Sequence, residues 1–168
     1  DLAVVQGVEA GGHLRGTSPL TPLLVAVRAA TDLPLVAAGG IATGRAVAAA
    51  VEAGADAARI GTRLLATVEA DVHPAYADAL IHAHAADTAV TEAFSMGWPA
   101  APHRVLRSCV AASDAAPPDR SPIPPNRSFT GDVDAAALYA GTSVGDIHAV
   151  EPAEAVIRRL VAVAADLL

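Results

Sequence analysis

His13 is the side chain best suited to moving a proton. It follows Gly11-Gly12, just beyond the apolar run Leu2 to Val5. An imidazole there can donate a proton, accept one or stabilise an anion near neutral pH. Two further glycine turns share its setting: Val36-Ala37-Ala38 runs into Gly39-Gly40, and Ala58-Arg59-Ile60 runs into Gly61-Thr62. Each turn leaves a strand-like run and opens a helix-like one. Neighbouring strands of a parallel sheet would bring the N–H groups of two such turns onto one point, a setting that favours an anion such as phosphate. Glycine suits these turns because a Cβ would block close approach and because positive φ is open to it. Each reading has a plainer rival. A strand-Gly-Gly-helix turn is often only a tight connection, and a loop histidine often only faces water.

The elements that must position these residues follow from pattern. Leu2 to Val5, Leu35 to Ala38 and Ala57 to Ile60 read as buried strands. Gly7 to Ser18 is a loop. Pro22 to Ala30 has helical character with Thr21 as its cap, Thr43 caps a helix from Gly44 to Ala53 that Gly54 closes, and Gly61 opens a short helix through Ala66. Strand and helix alternating in this way predict a parallel sheet with right-handed crossovers. Beyond residue 70, His73-Pro74 starts a helix through Ala83, Asp87 to Phe94 is extended, and Pro102 to Ala112 reads as a helix. Ala115 to Pro125 reads as an exposed, proline-rich linker. Tyr139 to Gly145 is another glycine-punctuated loop. Glu151 to Leu168 is a final helix with Val156, Leu160, Val163 and Leu167 as its apolar stripe.

Composition narrows the function classes. Of the 168 residues 53% are hydrophobic and 17% charged, which predicts a packed domain and not a disordered chain. A net charge of −7 with no basic cluster excludes non-specific nucleic-acid binding. Cys109 is the lone cysteine, so no intramolecular disulfide forms, which fits a reducing, cytoplasmic setting. No apolar run reaches the roughly 18 to 20 residues that span a bilayer. The other histidines (His73 at a helix start, His82 and His84 near a helix end, His103 and His148 in polar surroundings) make no metal-ligand spacing with Cys109, so no metal is expected. The chain opens at Asp1, with no signal peptide, directly into a strand, which reads as a cut.

Gln6-Gly7-Val8-Glu9-Ala10-Gly11-Gly12-His13, followed by Gly16, resembles the signature loop of the nitronate monooxygenases, formerly called 2-nitropropane dioxygenases. Ala37 to Ala42 and Ile60 to Thr67 resemble that family's next two motifs. The resemblance runs on through Asp87-Thr88, Phe94, Gly97-Trp98-Pro99, Arg104 to Arg107 and the Tyr139 to Gly145 loop, covering nearly all of the chain except the proline-rich segment. It implies an α/β fold, the C-terminal part of a TIM (β/α)8 barrel (strands 6-8 with their helices) plus a helical C-terminal extension. The expected organisation is 1–70 as βα units of an FMN-binding barrel, 71–112 as a helical and extended extension, 113–131 as a proline-rich linker or loop, and 132–168 as closing loop and final helix.

The resemblance also implies roles. Gly39, Gly40, Gly61 and Thr62 would bind the FMN phosphate through backbone amides. Gly11 and Gly12 would let the backbone pass close to the flavin, and His13 would be the active-site histidine. Tyr139 and Ser143 are weaker candidates on the substrate side. The implied activity is oxidation of alkyl nitronates by O2, with His13 acting on the nitronate oxygens or as a base on a neutral nitroalkane. FMN-type enoyl-acyl-carrier-protein reductases share these loops, and NAD(P)H:quinone reductases are close relatives, so a reductase is the alternative. A closed barrel has eight strands. With three, the chain is expected to bind FMN weakly by itself and to need the missing barrel half or a further copy. A truncated, non-catalytic half-barrel is the remaining alternative.

Overall fold

The computed structural model describes residues 1–168. In chain order its elements are β1 (Ala3–Gln6), β2 (Gly12–His13), α1 (Leu20–Arg28), β3 (Leu35–Ala38), α2 (Gly44–Glu52), β4 (Ala57–Arg59), α3 (Thr62–Leu65), α4 (Pro74–His82), β5 (Thr88–Thr91), β6 (His103–Leu106), α5 (Arg107–Ala115) and α6 (Ala153–Ala165). Short 3-10 turns lie at Ala85–Asp87, Pro117–Asp119 and Thr142–Asp146. No helix is long and apolar enough to cross a membrane.

The first sheet has the order β1-β3-β4, all parallel, with Val4 opposite Val36 opposite Ala57 and Gln6 opposite Ala38 opposite Arg59. Side chains alternate across a strand. Val5, Leu35 and Ala37 therefore share one face and are buried in a core with Leu20, Leu24, Ile41 and Ala50. Burying a leucine such as Leu24 contributes about 2 kcal/mol. The other face carries Val4, Gln6 and Arg59, and Val4 is 48% exposed. This is an arc of parallel sheet with helices outside and an open inner face, as the strand-helix alternation predicts.

Two helix boundaries differ from the sequence expectation. The first helix starts at Leu20, not Pro22. Thr21 is not its cap, and the N-cap position belongs to Pro19, which offers no side-chain bond. The Glu9 carboxylate does that work from the signature loop, accepting the Leu20 N–H at 3.0 Å. A negative group at a helix N-terminus satisfies a free donor and opposes the helix dipole. By contrast Thr43 caps α2 as expected, accepting the Ala46 N–H at 3.2 Å.

The extension holds a second, antiparallel sheet of order β2-β6-β5, which pairs His13 with His103 and Gly12 with Arg104. The helix expected over Pro102 to Ala112 is thus corrected: His103–Leu106 is strand, and the helix begins at Arg107. Pairing on both sides of β6 overrides the local helical reading. A core of Tyr76, Leu80, Phe94, Val105, Leu106, Cys109, Leu138 and Val144 lies beneath this sheet.

The proline-rich segment is exposed at Pro117–Asp119 as expected, but it is no free linker beyond that point. Ser121 bridges to Ala136, the Tyr139 hydroxyl donates to the Pro122 carbonyl at 3.1 Å, and Pro125 is buried. The last helix packs on α2 and buries Val156, Leu160 and Ala164; Val163 lies against Gly44 of α2 yet stays 42% exposed, as does Leu167, so Ala164 joins the buried stripe in their place.

Candidate active site

The C-terminal ends of β1, β3 and β4 open onto one cleft of about 840 Å³. Gly11, Gly12, His13, Gly39, Gly40, Gly61, Thr62, Tyr139 and Ser143 all line it, so every site residue expected from the sequence comes to one place. They arrive from four separated stretches of chain.

The signature loop is fixed from three sides. Arg104 donates from Nε (3.1 Å) and from its terminal nitrogen (2.8 Å) to the Val8 carbonyl, and its other nitrogen reaches Thr88 Oγ1 at 3.0 Å. Gln6 Nε2 donates to the His13 carbonyl at 3.0 Å. The Glu9 carbonyl accepts the Thr142 N–H at 2.9 Å, so the closing loop lies directly on the signature loop. Gly11 makes that approach possible: a Cβ there would stand 2.6 Å from the Gly141 nitrogen. Its small size admits the closing loop against the signature loop.

The second and third glycine turns form a cradle. Gly39 has φ +107° and Gly40 φ +71°, values that disfavour any residue with a Cβ. A Cβ on Gly39 would also meet the Ala10 nitrogen at 2.8 Å. The N–H groups of Gly39, Gly40 and Gly61 donate to no acceptor within the protein. At Gly61 a Cβ would meet nothing within 4 Å, so its absent side chain leaves room in the cleft itself. Unpaired amides around an open space, beside the start of α3, fit a phosphate. Thr62 Oγ1 accepts the Gly141 N–H at 2.9 Å, which leaves the hydroxyl hydrogen free to donate.

His13 is exposed and surrounded by rings. Trp98 stacks on it with centroids 4.7 Å apart and planes 27° apart, His103 meets it edge-on at 5.4 Å, and Tyr139 lies at 5.8 Å. The Tyr139 hydroxyl is committed to the Pro122 carbonyl, so Tyr139 offers the cleft its ring and not a free donor. Burial also pushes that hydroxyl above its usual range, which keeps it protonated. Ser143 is 6% exposed, on the 3-10 turn of the closing loop.

His103, placed in polar surroundings by sequence reasoning, is fully buried. Its Nε2 accepts the Phe94 N–H at 3.3 Å and its Nδ1 lies 3.0 Å from the Ala101 carbonyl. Only the neutral Nδ1–H tautomer satisfies both. Burial holds its pKa below the usual value, which agrees. Both nitrogens are occupied, so His103 shapes the site and transfers no proton.

Sequence reasoning also missed Arg15 and Arg59, which line the cleft and make no ion pair. The period-two pattern of the third strand holds the signal for Arg59, because it sets Arg59 on the inner face beside Ala38.

The family model described as nitronate monooxygenase matches residues 1–163. Nitronate monooxygenase npaC of Metarhizium robertsii is 33% identical, over 94% of this chain and 50% of its own length. FabK from Thermotoga maritima superposes with a TM-score of 0.80 at 29% identity, covering 99% of this chain and 55% of that one. A nitroalkane oxidase from Streptomyces ansochromogenes gives 0.77 at 34% identity, covering 99% and 52%. The chain spans about half the length of these relatives. The fold is the C-terminal part of a TIM barrel with its extension.

Proposed function

The chain belongs to the nitronate monooxygenase family, and from that premise we propose that it forms the phosphate-binding, proton-handling side of an FMN enzyme that oxidises alkyl nitronates with O2. The observation that carries this reading is the convergence of His13, the Gly39-Gly40 turn and the Gly61-Thr62 turn on one cleft. The family is flavin-dependent, and the unpaired amides of Gly39, Gly40 and Gly61 suit the phosphate of FMN. When bound, FMN supplies the two-electron chemistry that no side chain here can provide.

The chain's own residues then have definite tasks. Gly39, Gly40, Gly61 and Thr62 hold the phosphate. Gly12, whose φ of +74° and open Cβ side leave its backbone bare to the cleft, would let a flavin approach closely. His13 donates a hydrogen bond to the nitronate oxygens or, with a neutral nitroalkane, removes the α-proton. Tyr139 supplies a ring wall and Ser143 a hydroxyl near the substrate. Arg15 and Arg59 add positive charge that favours an anionic substrate. The substrates are small molecules, and the lone, buried Cys109 supports a cytoplasmic setting.

The test is anaerobic flavin reduction in the complete enzyme. An alkyl nitronate should bleach the flavin and NAD(P)H should not. The likeness to FabK favours a second reading, a reductase fed by NAD(P)H. Rapid bleaching by NAD(P)H, with nitronate inert, would select it.

A further inference from the structure

Trp98 is the only tryptophan of the chain. It is 53% exposed, yet it stacks on the one imidazole that faces the cleft. Its loop is costly at one residue: Gly97 takes φ +74° freely, but Ala100, which carries a Cβ, has φ +52°. Something must hold that shape, and His103 is in place to do so. Nε2 takes the Phe94 N–H at the start of the loop, and Nδ1–H donates to the Ala101 carbonyl at its end. Ser95 Oγ donates to the same carbonyl at 2.7 Å. His103 is also the cross-strand partner of His13. One buried ring thus ties both ends of the loop to the strand that pairs with the His13 strand.

We propose that Trp98 is a positioning residue for His13, carried onto the imidazole by a loop that His103 clamps at both ends. Trp98 covers one face of His13, while the His103 and Tyr139 rings approach it edge-on and tilted. Those three contacts restrict ring rotation and fix which nitrogen meets the cleft. The proposal rests on the reading of His13 as the residue that meets the nitronate.

The first test is Trp98→Ala and Trp98→Phe in the complete enzyme. Misplacing a catalytic group by about 1 Å costs up to about a hundredfold in rate. Loosening one wall should lower kcat for nitronate by about tenfold, with KM and FMN affinity changed little, and Trp98→Phe should restore most of the loss. A wild-type kcat in Trp98→Ala would overturn the proposal.

The second test does not use activity. An imidazolium stacked on an indole quenches its fluorescence by accepting an electron from the excited ring. The emission that disappears in Trp98→Phe should therefore titrate with pH in the parent and lose that titration in His13→Gln. His103, Glu92 and Tyr139 are the other titratable groups at this corner, and His13→Gln separates them from His13. Emission that is flat with pH, or that still titrates in His13→Gln, would overturn the stack. Titrating emission without nitronate-dependent oxygen uptake would keep the arrangement and discard the reaction. Uptake indifferent to Trp98→Ala would keep the reaction and overturn the positioning role.

Discussion

Thr62 Oγ1 accepts the Gly141 N–H at 2.9 Å, joining the Gly61-Thr62 turn after β4 to the closing loop. The barrel arc and the extension meet at the cleft through this bond and through Glu9 with Thr142. Through it the turn proposed to hold phosphate is tied to the loop that carries Tyr139 and Ser143.

Thr62→Val should therefore act twice. It leaves the Gly141 N–H without its partner, a cost of about 1–2 kcal/mol, and it removes a donor from the cradle. A lowered denaturant midpoint and a several-fold weaker FMN Kd are expected, with Thr62→Ser close to the parent. Unchanged FMN affinity in Thr62→Val would remove Thr62 from the cradle.

Gly39→Ala and Gly61→Ala separate fold from ligand. At Gly39 the positive φ and the 2.8 Å approach to Ala10 make alanine destabilising by about 1–2 kcal/mol. At Gly61 the space is open, so Gly61→Ala should melt like the parent while FMN binding falls about tenfold or more, because the methyl enters the cleft. Calorimetry and flavin titration on the two variants check this contrast.

Glu151 binds Arg159 at 2.8 and 2.7 Å and also pairs with buried Arg63, next to Thr62 in the chain. Hydrogen bonds from Arg159, then the charges of Arg159 and Arg63, pull its pKa from 4.5 to about 2. The unfolded chain therefore binds more protons between those values. The stabilisation is complete above about pH 4.5 and is lost as pH falls toward 2. Glu151→Gln should remove this acid dependence. It should also destabilise at neutral pH by about 2 kcal/mol, since Arg63 loses its counter-charge. Identical midpoints for parent and variant at pH 7 would contradict it.

His103 adds a second window. Burial, the largest cause, lowers its pKa below 6.5, with His13 lowering it further and the Ala101 carbonyl and Glu92 opposing. The folded state keeps the neutral ring while the unfolded chain takes a proton, so this contribution is intact above pH 6.5 and declines as pH falls below it. Midpoints at pH 7.5 and 5.5 should differ more in the parent than in His103→Gln.

The sequence was informative where local chemistry decides the outcome. The glycine turns and Thr43 announce themselves, because positive φ and capping are properties of a few adjacent residues. It was mute where distant partners decide. Glu9 caps α1 from another loop, and no pattern around Thr21 could reveal that. The short β6 runs straight into α5 without a breaker, and only its pairing with β2 and β5 makes it a strand. The burial and clamping role of His103 depends on that pairing, so it was hidden too. Packing against α2 sets the buried stripe of α6, where Ala164 is buried and Val163 and Leu167, which helical spacing put in the stripe, stay half exposed.

The most direct measurement is the anaerobic rate at which an alkyl nitronate bleaches the flavin in the complete enzyme and in His13→Gln. Parent enzyme should bleach readily. The variant should retain FMN through the Gly39-Gly40 and Gly61-Thr62 turns yet react at least about a hundredfold more slowly. Equal rates in the two proteins, or no bleaching by nitronate in the parent, would contradict the account.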